Sequence, residues 1–123
     1  MIDQEFAKHF ADEWVSAWNS HDMDAIMAHY DDNFEFTSPL ISRVVGEPSG
    51  RLKGKEAVRA YWSKALSLIP DLHFELLTIF VGVNSIVLHY ENQAGRLSAE
   101  AFEFGPDMKV IRSFANYANP PSI

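Results

Sequence analysis

The segment Leu97-Ser-Ala-Glu-Ala-Phe-Glu-Phe104 alternates, and counting by twos places Ser98, Glu100, Phe102 and Phe104 on one face and Ala99, Ala101 and Glu103 on the other. Period two is the signature of a strand with one buried face; an amphipathic helix would repeat its apolar positions every three or four residues. The segment belongs to the third of four similar runs, about Leu72 to Val81, Ser85 to Glu91, Arg96 to Phe104 and Met108 to Tyr117. Their separators, Gly82-Val-Asn84, Asn92-Gln-Ala-Gly95 and Gly105-Pro-Asp107, are short and rich in turn formers, so successive runs pair as hairpins. The C-terminal half is therefore a meander.

Upstream the period changes. From Asp3 to about Asn19, Phe6, Phe10, Trp14, Ala17 and Trp18 recur at spacings of three and four and paint one stripe on a helix. Asn19-Ser-His21 breaks it, and Asp22 is a good N-cap for a second, short helix from Met23 to Tyr30, with Met23, Ile26, Met27 and Tyr30 inward. Phe34-Glu-Phe-Thr-Ser38 alternates again and reads as a strand, ended by Pro39. Leu40 to Gly54 is punctuated by glycine and proline and carries Arg43, Arg51 and Lys53, which predicts a long loop of the kind that serves as a lid. Lys55 to Ile69 makes a third helix through Ala57, Val58, Tyr61, Trp62, Ala65, Leu66 and Ile69, and Pro70 stops it. Helices first and a meander afterwards predict an α+β fold: three N-terminal helices packed on one face of a curved, mainly antiparallel sheet.

The bulk numbers bound the function. A chain of 123 residues fits a single domain, 1–123. Ten basic against 17 acidic residues give a net charge of −7, which makes nucleic acid and anionic membrane poor partners. The absence of cysteine removes disulfides, thiolate catalysis and cysteine-ligated metals. No apolar run is long enough for a bilayer, and Met1-Ile-Asp-Gln-Glu lacks the features of a signal peptide, so a cytoplasmic protein is expected. The five histidines, His9, His21, His29, His73 and His89, share no metal-ligand spacing, and no phosphate-binding glycine loop or nucleophilic triad is present; no metal and no cofactor are expected. Nine Phe, four Tyr and three Trp exceed what a minimal core needs, and surplus aromatics often line a pocket.

Three helices, one early strand and a four-strand meander resemble the nuclear transport factor two-like superfamily, with its cone-shaped, cystatin-like fold. Trp14-Val-Ser-Ala-Trp-Asn-Ser-His-Asp-Met-Asp-Ala-Ile-Met-Ala-His-Tyr-Asp-Asp-Asn-Phe-Glu-Phe-Thr-Ser-Pro39 is similar to that superfamily's opening and lies gaplessly on the ketosteroid isomerase pattern. Gly54-Lys-Glu-Ala-Val-Arg-Ala-Tyr-Trp62, Pro70-Asp-Leu-His-Phe-Glu-Leu76 and Phe102-Glu-Phe104 with Lys109-Val-Ile111 resemble the SnoaL-like branch, which includes polyketide cyclases. The resemblance specifies the fold more than the reaction, because the fold hosts isomerases, cyclases, dehydratases, epoxide hydrolases and silent binding modules. Residue by residue, the isomerase tyrosine that binds the substrate oxyanion falls on Trp14, which has an N–H but no phenol. The general-base aspartate falls on Ser38, which abstracts no proton unaided. The acid that donates to the oxyanion falls on Glu100, and the cyclase general acid and base falls there too. The resemblance thus implies acid–base chemistry on Glu100 that differs from steroid isomerisation.

Glu100 reads either as a carboxyl at the bottom of an aromatic cone, desolvated by Phe36 and Phe102, or as a strand-end carboxylate that reaches water. Trp14, Trp18, Tyr61 and Trp62 are pocket wall under the resemblance and core under helical periodicity alone. Ser38 would bind a ligand carbonyl or cap the turn at Pro39. Under the family register Ile111, Ser113, Ala115 and Tyr117 point inward, with Tyr117 at the mouth. His89 would relay protons to Glu100 if Val87 and Glu91 share the interior; the other parity buries Ile86, Leu88 and Tyr90 and turns His89 outward. Glu103 has a cross-strand partner in Arg112. The expected ligand is a small apolar or carbonyl-containing molecule, bound by an isomerase- or cyclase-type enzyme, a hydrolase or dehydratase variant, or a module without turnover. Open sheets bury their outer face by pairing, which predicts a homodimer through the convex side, where Val110 and Phe114 would project.

Overall fold

Asp3 starts the first helix: its carboxylate accepts the backbone N–H of Glu5 at 2.6 Å, and α1 runs from Gln4 to Asn19 with Phe10, Trp14 and Trp18 buried on one stripe. The computed structural model describes residues 1–119. Asp22 caps α2 through the Ala25 N–H at 3.1 Å, but α2 covers only Met23–Met27. Tyr30, expected at the end of that helix, instead opens strand β1, Tyr30–Thr37. Long-range pairing overrides the local pattern there, because Val110 donates its N–H to the His29 carbonyl and Tyr30 stands in register with Val110.

The stretch from 40 to 54 is more ordered than a loop. Leu40 and Ile41 are buried, and α3, Ile41–Val45, ends on Gly46 in the left-handed region at φ 75°. Strand β2, Arg51–Lys53, then pairs antiparallel with β1, Leu52 opposite Phe36. A Cβ on Gly50 would lie 3.2 Å from the Ser38 carbonyl oxygen, and φ there is 69°, so the close return of the chain depends on glycine. The third expected helix is thus the fourth observed, α4 at Lys55–Leu68, with Val58, Tyr61 and Trp62 buried.

The meander consists of β3 (Phe74–Val81), β4 (Ser85–Asn92), β5 (Leu97–Phe104) and β6 (Val110–Tyr117). The six strands are ordered β2-β1-β6-β5-β4-β3, with β1 and β6 parallel and every other pair antiparallel. This α+β arrangement curls the sheet around α1 and α4 as a cone. Ile86, Leu88 and Tyr90 of β4 and Ser98, Glu100, Phe102 and Phe104 of β5 are buried on the inner side. His89 stands opposite Ala99 and Thr78 on the outer side, so the parity that made it a relay to Glu100 is corrected. Val110 is corrected as well. A register shift where Glu103 and Phe104 pair with β6 turns Val110 fully inward, while Phe114 stays 41% exposed on the convex face. No helix among the described residues is long and apolar enough to cross a membrane.

Candidate functional site

Inside the cone lies a cavity of about 250 Å³, open at one end. Of the residues singled out from the sequence, Trp14, Trp18, Phe36, Tyr61, Trp62, Glu100 and Tyr117 are on its wall. α1 supplies the first two from consecutive inward turns, α4 supplies Tyr61 and Trp62, and the sheet supplies the rest. Phe102 is fully buried behind the wall, edge-on to Trp14 at 5.4 Å and to Phe10 at 5.0 Å. Ser38 and Ser113 are also fully enclosed. The Ser38 hydroxyl accepts the Leu40 N–H at 3.2 Å and so serves the turn after Pro39, while lying close enough to the Tyr61 and Tyr117 phenols to stabilise their ionised forms.

Glu100 is 4% exposed. Its Oε1 accepts the Tyr90 hydroxyl at 2.9 Å, and the Ser113 hydroxyl lies beside the carboxyl without completing a hydrogen bond. Burial strips water from the charged form and outweighs both hydroxyls, pushing the carboxyl up to about 7. A group balanced there holds or releases a proton near neutral pH with little driving force either way.

All four tyrosines of the chain feel this carboxyl. Burial raises Tyr61 to about 12 and holds Tyr30, Tyr90 and Tyr117 above the ordinary phenol range, and negative charge on Glu100 raises each further. They remain neutral donors. Trp14, at the position of the isomerase oxyanion tyrosine, directs its indole N–H to the Tyr30 hydroxyl at 3.0 Å. The Tyr30 hydroxyl accepts that bond and keeps its own proton.

Tyr30 and Tyr90 were not among the sequence candidates. Local sequence reads Tyr30 as the tail of a helix, and Tyr90 belongs to the parity of β4 that competes with His89. The Ile86, Leu88, Tyr90 alternation was the signal that could have found the second; nothing local marked the first. The orphaned polar atoms also cluster here: the Trp18 indole N–H and the Ser98 and Ser113 hydroxyls are buried and make no hydrogen bond to the described residues. Among the described residues no three His, Asp or Glu side chains come together as a metal site.

A profile for the SnoaL-like domain matches residues 11–113. A SnoaL-like protein of unknown function from Burkholderia thailandensis is 53% identical, with a TM-score of 0.91 over 97% of this chain and 100% of that one. An NTF-2 like protein of unknown function from Burkholderia xenovorans is 22% identical, with a TM-score of 0.71 over 98% and 88% of the two chains. The epoxide hydrolase/cyclase-like enzyme SalBIII, described with a role in pyran ring formation in polyether salinomycin, is 17% identical with a TM-score of 0.71 over 97% and 95%. The last two likenesses concern the fold. No curated protein matches.

Proposed function

We propose that this chain, which belongs to the SnoaL-like family, binds a small, mostly apolar carbonyl compound in the cone and uses Glu100 to move a proton at the carbon beside the carbonyl. The observation that carries the reading is the position of Glu100: a buried carboxyl on the wall of an aromatic cavity, held by Tyr90 and balanced at about 7. In its ionised form Glu100 takes a proton from the activated carbon, and in its protonated form it returns one to the neighbouring position or to a leaving oxygen. The neutral Tyr61 and Tyr117 phenols on the cavity wall are the donors available to the carbonyl oxygen as charge builds on it. Standard ketosteroid isomerisation does not fit, because a serine stands where its base would be.

Glu100→Gln tests this directly. In a screen of cyclic ketones and lactones followed by proton exchange in deuterated water, the wild-type chain exchanges the α-protons of at least one compound. The variant then falls by on the order of 10²–10⁴-fold. Unchanged exchange in the variant would remove Glu100 from the chemistry. Ligand binding by both forms without exchange would favour the second reading, a binding module, for which the lone carboxyl and the serine at position 38 are the supporting features.

The same proposal extends to assembly. On the convex face Phe80, Val87, Ala101 and Phe114 stand directly opposite one another across β3, β4, β5 and β6, with Phe80 53% and Phe114 41% exposed. A continuous apolar row of this kind suits a second copy of the chain. Sedimentation should give a dimer that Phe114→Asp dissociates; a wild-type monomer at micromolar concentration would overturn it.

A further inference from the structure

Arg96 is the only cation on the cavity wall among the described residues. It stands just before β5 and continues the inward parity of Ser98 and Glu100, so four residues of extended chain, about 13 Å between Cα atoms, separate it from Glu100. The turn that carries it is fixed: the Asn92 side-chain carbonyl accepts the backbone N–H groups of Ala94 and Arg96, both at 2.9 Å. Arg96 is a partly buried residue and forms no ion pair among the described residues, although 17 acidic side chains are available in the sequence. Arg59 and Arg112 are each paired with a carboxylate, whereas Arg43 and Arg51, also without an ion pair among the described residues, are exposed and off the cavity wall. Ser98, between Arg96 and Glu100 in the strand, is also on the wall, and its buried hydroxyl has no hydrogen-bond partner among the described residues.

From this placement we infer that the ligand carries an anionic group, a carboxylate, at the end remote from the carbonyl that Glu100 serves, and that Arg96 binds it at the mouth of the cone. The inference rests on the cone being a ligand site. A planar guanidinium forks onto a carboxylate through two parallel N–H···O bonds, and the low-dielectric aromatic wall beside it strengthens that contact. The protein as a whole carries −7, so its long-range field repels anions. Any preference for an anion is therefore local. A body of two fused rings is of a size for a cavity of about 250 Å³.

Two isosteric probes separate the terms: 6-acetylnaphthalene-2-carboxylate, with a ketone at one end and a carboxylate at the other, and neutral 2,6-diacetylnaphthalene. Binding is read from quenching of the emission of Trp14, Trp18 and Trp62, which all line the cavity. The keto acid should bind the wild-type chain about ten-fold more tightly than the diketone, and added salt should narrow the gap. Arg96→Gln should remove the preference while moving the diketone by less than about two-fold, and Arg96→Lys should restore part of it. Equal affinities in the wild type, or a preference that survives Arg96→Gln, would overturn the anion site and leave the cone reading standing. Failure of both probes to bind would overturn the cone reading and the anion site with it.

Discussion

Glu100 and Glu103 are the same residue type three positions apart on β5, and the two faces of one strand set them in opposite chemistries. Glu100 points into the cone, loses its water and is pushed up to about 7. Glu103 points out, stands opposite Arg112, and is held by the guanidinium through both carboxylate oxygens, its Nε at 2.9 Å, which pulls the carboxyl below its ordinary range. The neighbouring Glu35 faces Arg112 from the other side, so the outer row is one of solvated, alternating charge. Desolvation dominates inside and pairing dominates outside. A carboxylate on a sheet therefore takes its reactivity from the face, and the face from residue parity.

Several substitutions press on this contrast, and the inner face should respond most. Trp14 is 1% exposed and packs against Trp18, Phe74, Tyr90 and Phe102. Trp14→Ala should cost about 3–5 kcal/mol in denaturant unfolding. A much smaller loss would mean that the inner face is a loose pocket lining rather than shared core and wall.

Glu100→Gln should act next, and its sign depends on pH. The folded carboxyl holds its proton up to about 7 whereas the unfolded one releases it near 4.5. The stability this adds is fully present below the unfolded value and is lost as pH rises through 7. At pH 8.5 the wild-type chain bears a burial penalty of about 3 kcal/mol that glutamine, which can still accept the Tyr90 hydrogen bond, avoids. The variant should match wild type near pH 4.5 and exceed it in thermal unfolding at pH 8.5. Parallel curves across that range would show that Glu100 ionises at the ordinary value.

Glu103→Gln should have the smallest effect and the opposite sign. Its carboxyl lies low, so the contribution of the pair is present above the ordinary carboxylate range and fades as pH falls through the folded value. It should also shrink with salt, because the pair is exposed. A loss as large as that of Trp14→Ala would place this pair in a dimer interface and sharpen the proposal for the convex face.

Much of this is legible in the sequence. Alternation in β5 separated the two glutamates, and Asp3 and Asp22 cap helices where sequence chemistry put Asp22 at the start of the second. Three misreadings share a cause. Local pattern assigns Tyr30 to a helix, Val110 to the outer face and 40–54 to a loop, whereas each is decided by a partner far away in the chain: β6 captures Tyr30, a register shift against β5 rotates Val110, and β1 recruits residues 51–53 as a strand. Local periodicity carries no information about a bulge or a distant edge.

The sequence by itself determined the fold class, the helical stripes and the parity that sends Glu100 inward, because side-chain periods of 3.6 and 2.0 are properties of the chain. Tertiary structure alone decided what Glu100 meets there. The Tyr90 hydroxyl, the Trp14 bond to Tyr30, the orphaned donors and the unpaired Arg96 on the cavity wall come from different strands, helices and turns. Burial depth and hydrogen-bond geometry arise only when those elements close around one cavity, and they set the chemistry of the carboxyl.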